Sequence, residues 1–304
     1  MDGHVFAARR NLEKALRRFR KETESQAFWV DAICINQQDD EERSHQVQIM
    51  GSIYKSTNEC RIWLGEIEEE PIEPLIRNQT WTQAEIKRLE ELIEENDLSN
   101  MEPLQKAGKE GDASIDVPGG FEIMELLAQD KHFHEMPFFH IPPTGHVPAG
   151  GLKFELRDHW SKAMYSLENI LRRGWWLRIW TVQEALLPNV ATVCLGPHTT
   201  PFSTFVDGSY NWYAHAFYPK VCCLSMLNLW TGYSSDSFKG AMERIMELKV
   251  LHDVRRQKQP ISVAHKLFMV SIQRSATLLH DHVYGLFGLI DEFFRLGESV
   301  DYTM

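Results

Sequence analysis

Between Arg173 and Leu187 the chain reads Arg173-Gly174-Trp175-Trp176-Leu177-Arg178-Ile179-Trp180-Thr181-Val182-Gln183-Glu184-Ala185-Leu186-Leu187. Three tryptophans within six residues, interleaved with arginines and running into Gln183-Glu184 on an apolar helix, allow two chemistries. In one, the aromatics lock a core and Arg178 neutralises Glu184. In the other, Glu184 is a carboxylate held in a partly dry pocket, poised for acid, base or electrostatic work. Ion pairs beside aromatic cores are common structural devices, so the residues alone leave both readings open.

A second polar group lies upstream, where the apolar run Phe28-Trp29-Val30-Asp31-Ala32-Ile33-Cys34-Ile35 ends in Asn36-Gln37. This pattern predicts a buried strand over 28–35 that delivers Asp31, Asn36 and Gln37 to the mouth of a sheet, where α/β proteins place their sites. Metal-binding signals are weak by comparison. His132, His134 and His140 surround Pro137, but no cysteine or acidic partner stands at zinc-ligand spacing, and they read as surface histidines. The five cysteines have no paired metal spacing. Cys34, Cys60 and Cys194 lie in apolar runs and read as small buried thiols, while the adjacent Cys222 and Cys223 are poorly placed to bridge one another.

The elements that must position these residues follow from periodicity. Leu12, Ala15, Leu16 and Phe19 recur at helical spacing. Asp39 with Glu42 three residues on forms a capping-box variant ahead of a helix that carries Val47, Met50, Gly51 and Tyr54 to about Ser56. Cys60-Arg61-Ile62-Trp63-Leu64-Gly65 is a short strand closed by glycine. Residues 11–65 therefore read helix, strand, helix, strand, which predicts a parallel sheet with helical crossovers. From about 66 to 150 the chain turns acidic and Pro/Gly-rich, with helical stretches near 82–95 and 121–129, and reads as an insertion with a solvated acidic surface. A helix carrying Ala163, Leu167, Ile170 and Leu171 leads into the tryptophan block, and a 191–196 strand follows it. Beyond 200 the chain is mostly helical and closes on Asp281-His282-Val283-Tyr284-Gly285-Leu286-Phe287-Gly288-Leu289.

With 304 residues and 43% hydrophobic content the chain can bury a substantial core. A net charge of −11 argues against a nucleic-acid backbone as the main partner. No apolar stretch is long enough to span a bilayer, and the start has no basic region followed by an apolar run, so the expectation is a soluble, cytoplasmic protein.

Three blocks in order, Trp29 to Gln37 with Glu42-Arg43, Gln46-Val47, Met50, Ile53-Tyr54 and Trp63-Leu64-Gly65, then Arg173 to Glu184, then Asp281 to Leu289, closely resemble the heterokaryon incompatibility (HET) domain of filamentous fungi. The resemblance spans residues 11 to about 290, which implies a HET domain over 1–290 and a tail over 291–304. The family usually opens with a strand ending Ser-Tyr-x-Trp-Gly, and this chain has nothing similar; the expectation is an N-terminally incomplete domain with exposed strand edges.

HET domains in turn resemble TIR domains remotely, which implies a flavodoxin-like parallel sheet flanked by helices. Trp180-Thr181-Val182-Gln183-Glu184 has the spacing of the TIR Trp-Cys-x-x-Glu motif, whose glutamate is catalytic in the TIR enzymes that cleave NAD. By that resemblance Glu184 is the catalytic residue, and Trp180 or Trp176 stacks on a base or on nicotinamide. Arg178 then meets a phosphate oxygen, while Asp31, Asn36 and Gln37 supply hydrogen bonds. NAD is then a substrate, with no resident cofactor and no metal. The function implied is an effector of fungal non-self recognition and programmed cell death. The competing readings are a non-enzymatic module acting by self-association or with other incompatibility proteins, and an inactive truncated fragment.

Overall fold

A computed structural model describes residues 8–67, 117–132, 135–136, 139–140, 155–156, 158–217, 235–256 and 260–289. In chain order the elements begin with α1 (Arg10–Phe19), α2 (Asp31–Cys34), α3 (Asp40–Ser56), β1 (Cys60–Trp63) and α4 (Val117–Ala128). Next come β2 (Phe139–His140), β3 (Glu155–Leu156), α5 (Asp158–Leu171), a 3-10 turn (Gly174–Leu177) and α6 (Thr181–Leu186). The chain continues through β4 (Ala191–Leu195), β5 (His198–Pro201), α7 (Phe202–Ala216), α8 (Ser235–Arg256), α9 (Pro260–Ile272) and α10 (Asp281–Tyr284). The helix expected near 82–95, the Cys222-Cys223 pair, His134 and the 291–304 tail lie outside the described residues.

The architecture is mixed α/β, with a small sheet and mostly helical content. Its three-stranded sheet has the order β1-β4-β5. β1 and β4 are parallel, Cys60 opposite Ala191 and Trp63 opposite Cys194, whereas β4 and β5 form an antiparallel hairpin. Among the described residues this sheet has one parallel and one antiparallel pair, so the expected all-parallel, flavodoxin-like sheet is not confirmed. Around it α4 packs on α5 and α7, α7 on α8, and α8 on α9. The shared core includes Ile62, Met124, Leu167, Ile170, Ile179 and Val193.

Residues 28–35 do not form the expected strand. Val30 is extended, but Asp31 begins a single helical turn whose first exposed amide, that of Ala32, donates to the Asp31 carboxylate at 2.7 Å. Among the described residues the run pairs with no strand; Phe28 is exposed, and Cys34 is exposed rather than a buried thiol. Cys194 is buried as expected and Cys60 is partly so.

The capping signal before α3 is realised with one change of partner. Asp39 accepts the Glu42 amide at 3.0 Å, while the Glu42 carboxylate reaches past the cap to the Asn36 amide at 2.9 Å. Farther along the same helix, Gly51 packs directly on Gly288: a Cβ at Gly51 would stand 2.6 Å from the Gly288 Cα. Two glycines therefore permit α3 and the closing block to touch backbone to backbone.

Candidate functional site

A cleft of about 560 Å³ opens beside β1. It is bounded by the apolar stripe of α1, the irregular segment 26–31, the end of α3, and Trp175, Arg178 and Glu184 from the tryptophan block. The α1 stripe thus faces this cleft: Ala15 is 6% exposed, and Phe19 meets Trp63 edge-on with ring centroids 5.5 Å apart.

Glu184 lies in the first turn of α6. Its neighbours Val182 and Ala185 are buried in the core, which pins the helix and turns the glutamate toward the cleft. The Trp175 indole N–H donates to Glu184 Oε2 at 2.8 Å. Although the residue keeps some exposed surface, burial of the carboxyl group pushes its pKa above the ordinary glutamate value. The Arg178 charge and the Trp175 hydrogen bond pull it back, and the Asp31 charge pushes it up again. The site is therefore the half-dry carboxylate of one sequence reading with the nearby arginine of the other, yet among the described residues no ion pair within 4 Å joins Arg178 to Glu184. Arg178 is exposed and keeps its guanidinium for the cleft.

Tyr54 and Cys60 complete this end. Burial first, and then the Glu184 charge, raise the Tyr54 phenol well above its ordinary value, and the same two causes raise the Cys60 thiol. Both groups are therefore neutral near pH 7. A protonated phenol, two carboxylates (Asp31 and Glu184) and one guanidinium converge here beside the Trp29 ring, which meets Tyr54 edge-on at 5.8 Å.

The structure brings Asp31, Arg178 and Glu184 together on this cleft and places Asn36, Gln37 and Trp180 elsewhere. Asn36 Oδ1 accepts the Gln38 amide at 3.2 Å and Gln37 Nε2 donates to the Asp31 carbonyl at 3.3 Å, so both knit the turn between α2 and α3. Trp180 packs against the Val47 and Met50 cluster of α3, which Tyr284 and Phe287 of the closing block also join. Trp176 is core: it is 2% exposed and its indole donates to the Ile170 carbonyl at 2.8 Å. Gln183 is structural as well, accepting the Gly288 amide at 3.1 Å and donating to the Tyr284 carbonyl at 3.3 Å. His132 sits against the buried His215 ring at 4.6 Å, edge-on.

Sequence reasoning missed Trp175 and Tyr54 as site residues. The signal for Tyr54 was a polar-tipped aromatic on the apolar stripe of α3. For Trp175 no periodic signal exists, because a 3-10 turn and an irregular step separate it from Glu184. Among the described residues no cluster of three or more His, Cys, Asp or Glu could hold a metal, and no helix is long and apolar enough to cross a membrane.

The fold and site define a mixed α/β domain with a carboxylate-bearing cleft beside β1. The family model described as heterokaryon incompatibility protein (HET) matches residues 1–184, and the chain belongs to that family. The match ends at Glu184. Heterokaryon incompatibility protein 6, OR allele, of Neurospora crassa is 23% identical over 318 residues, which cover 99% of this chain and 41% of that protein. The chain thus spans well under half the length of this curated relative. No solved structure matches the chain.

Proposed function

We propose that this chain is a cytoplasmic effector of fungal non-self recognition that acts by TIR-like cleavage of NAD, with Glu184 as the catalytic residue. The observation that carries the reading is the Glu184 carboxyl, withdrawn from water, fixed by Trp175 and facing an aromatic-walled cleft that also holds an uncommitted guanidinium. The bond between C1′ of the ribose and the nicotinamide nitrogen breaks, its electron pair goes to the nitrogen, and nicotinamide leaves neutral. A positive charge develops on the ribose ring, and a fixed carboxylate in a low-dielectric cleft stabilises it. Water adds to C1′ and gives its proton to Glu184, whose raised proton affinity suits it as the acceptor. Asp31 and the Tyr54 hydroxyl supply hydrogen bonds to the ribose, Arg178 pairs with the diphosphate, and Trp29 offers a ring for stacking. The test is nicotinamide release from NAD by the purified, folded chain, with Glu184→Ala in parallel. Release that depends on Glu184 supports the reading, and no release from the folded chain overturns it.

A second reading, a module that signals by self-association, has its own observation. Phe268, Ile272, Leu278, Leu279 and Val283 leave large apolar side chains exposed on α9, on α10 and on the turn between them. Light scattering that finds a monomer at all concentrations would remove it.

A further inference from the structure

Arg178 stands between two helical segments, the 3-10 turn that ends at Leu177 and α6, which begins at Thr181. Its own backbone is extended, with φ −82° and ψ 137°. Along an extended stretch successive side chains point to opposite sides. Ile179 is accordingly buried in the core, while Arg178 is exposed and lines the cleft.

Both backbone groups of Arg178 bond within its own block: the amide donates to the Trp175 carbonyl at 3.3 Å, and the carbonyl accepts the Thr181 hydroxyl at 2.6 Å. The residues on either side of it are held by a single residue from the turn after α9. The Ser275 amide donates to the Leu177 carbonyl at 2.6 Å, and the Ser275 carbonyl accepts the Ile179 amide at 3.0 Å. This is the parallel pattern, in which one residue bonds to both neighbours of the residue opposite it, and it makes Arg178 and Ser275 a β-bridge outside the named strands. The Ser275 hydroxyl adds a third bond, to the same Leu177 carbonyl at 3.1 Å.

Ser275 is fixed in turn by elements that contribute no residue to the cleft wall. Arg274, just before it, is 6% exposed. Its guanidinium donates to the Val270 carbonyl of α9 at 3.1 Å and to the Arg244 carbonyl of α8 at 3.2 Å. Freeing a buried charge from such partners is unfavourable, so the place of Ser275 follows from the packing of α8 on α9.

We infer that Ser275 is a positioning residue for Arg178, fixing the backbone on both sides of it and thereby the reach of its guanidinium into the cleft. A long side chain with many rotamers reaches a given point reproducibly only from a fixed base. Ser275 lies outside the cleft wall and acts only through the arginine. The inference rests on the reading of Arg178 and Glu184 as parts of one functional cleft, and it adds that the cleft is set from the α8–α9 side of the molecule.

The guanidinium reports its own position, because its charge lowers the Glu184 pKa. Glu184 is titrated by carbon NMR in the full chain without NAD, with Glu184→Gln to assign the signal. Ser275→Pro lacks both the amide and the hydroxyl donor, and it is expected to raise the Glu184 pKa toward that of Arg178→Gln. Placed on Arg178→Gln, the same substitution is expected to move it no further. Ser275→Ala, which loses only the hydroxyl bond, shifts it the same way by less and decides the matter if the proline variant does not fold. Ser275→Thr keeps both donors and the wild-type titration. Asp31, Tyr54 and Cys60, the other ionisable groups that interact with Glu184, are carried by α2, α3 and β1 and are unaltered in every variant.

A structural role alone would lower the melting temperature of the variants and leave the titration where it was. An unchanged Glu184 pKa in the folded variants, or an equal shift with and without Arg178, would overturn the inference. In a second arm, KM for NAD rises about tenfold in Ser275→Pro, and by less in Ser275→Ala, while kcat at high pH changes little. A wild-type KM in the folded variants would also overturn it. Absence of NAD cleavage by the folded wild-type chain would end the NAD reading instead, and the titration would still decide the role of Ser275.

Discussion

The indole of Trp175 holds the carboxylate of Glu184 through a single 2.8 Å hydrogen bond across the start of α6. Because this bond favours the charged form, it lowers the glutamate pKa against the burial that raises it. Trp175→Phe keeps most of the ring packing and removes the donor. The Glu184 pKa then rises further, so the acid limb of the pH profile for nicotinamide release moves upward. A hydrogen bond to a charged group contributes about 1.5–3 kcal/mol, and the expected loss of kcat near pH 7 is about tenfold to a hundredfold. A pH–rate series on wild type and variant checks both.

Arg178 acts on the same carboxylate from a distance and keeps its guanidinium unpaired. Arg178→Gln also raises the Glu184 pKa, since a charge that lowers it is gone. If the guanidinium meets the diphosphate, the variant differs from Trp175→Phe in kind: KM for NAD rises about tenfold or more, while kcat at high pH changes little. Steady-state kinetics at two pH values separate the two effects.

The contact of Gly51 with Gly288 makes a prediction about stability alone. A methyl at either glycine meets the backbone of the other, and at Gly288 it also meets the Gln183 side chain. Gly288→Ala therefore forces α3, α6 and the closing block apart, at a cost of about 1–3 kcal/mol or more. Denaturant unfolding of the variant measures it, and an unchanged midpoint would show that the contact is not tight.

Asp39→Ala removes the acceptor for the Glu42 amide in the first turn of α3 and loosens the turn that Asn36 and Glu42 stabilise. The expected cost is about 1 kcal/mol. Hydrogen exchange should quicken at Glu42 and leave β4 unchanged.

Periodicity and caps made much of this fold legible. The stripe of α1, the Asp39 cap, β1 ending before Gly65 and the β4 strand all appear where the residues indicate. The 28–35 run was misread because a strand depends on a neighbour that no local pattern reveals. Asp31 could start a helical turn locally, whereas a strand needs a paired neighbour. The tryptophan block was legible as a unit, but the division of labour within it was not. Trp175, Trp176 and Trp180 differ in role because they leave a 3-10 turn and an irregular step in different directions, toward the cleft, the core and α3 respectively. Gln183 and Glu184, adjacent in sequence, face the closing block and the cleft for the same reason.

The measurement that bears most directly on Glu184 compares Glu184→Gln with wild type for NAD cleavage and for thermal stability at several pH values. The folded-state pKa lies above the ordinary value of 4.5, so the protonated carboxyl is the form that folding favours. Its contribution to stability is fully present below the unfolded pKa and is lost as pH rises through the folded pKa. A neutral amide escapes that loss. Glu184→Gln is expected to release no nicotinamide yet to melt higher than wild type at pH 7, with the gap closing toward pH 4. Nicotinamide release retained by the variant, or a lower melting temperature at pH 7, would contradict that expectation and leave Glu184 a structural role as the acceptor of the Trp175 indole.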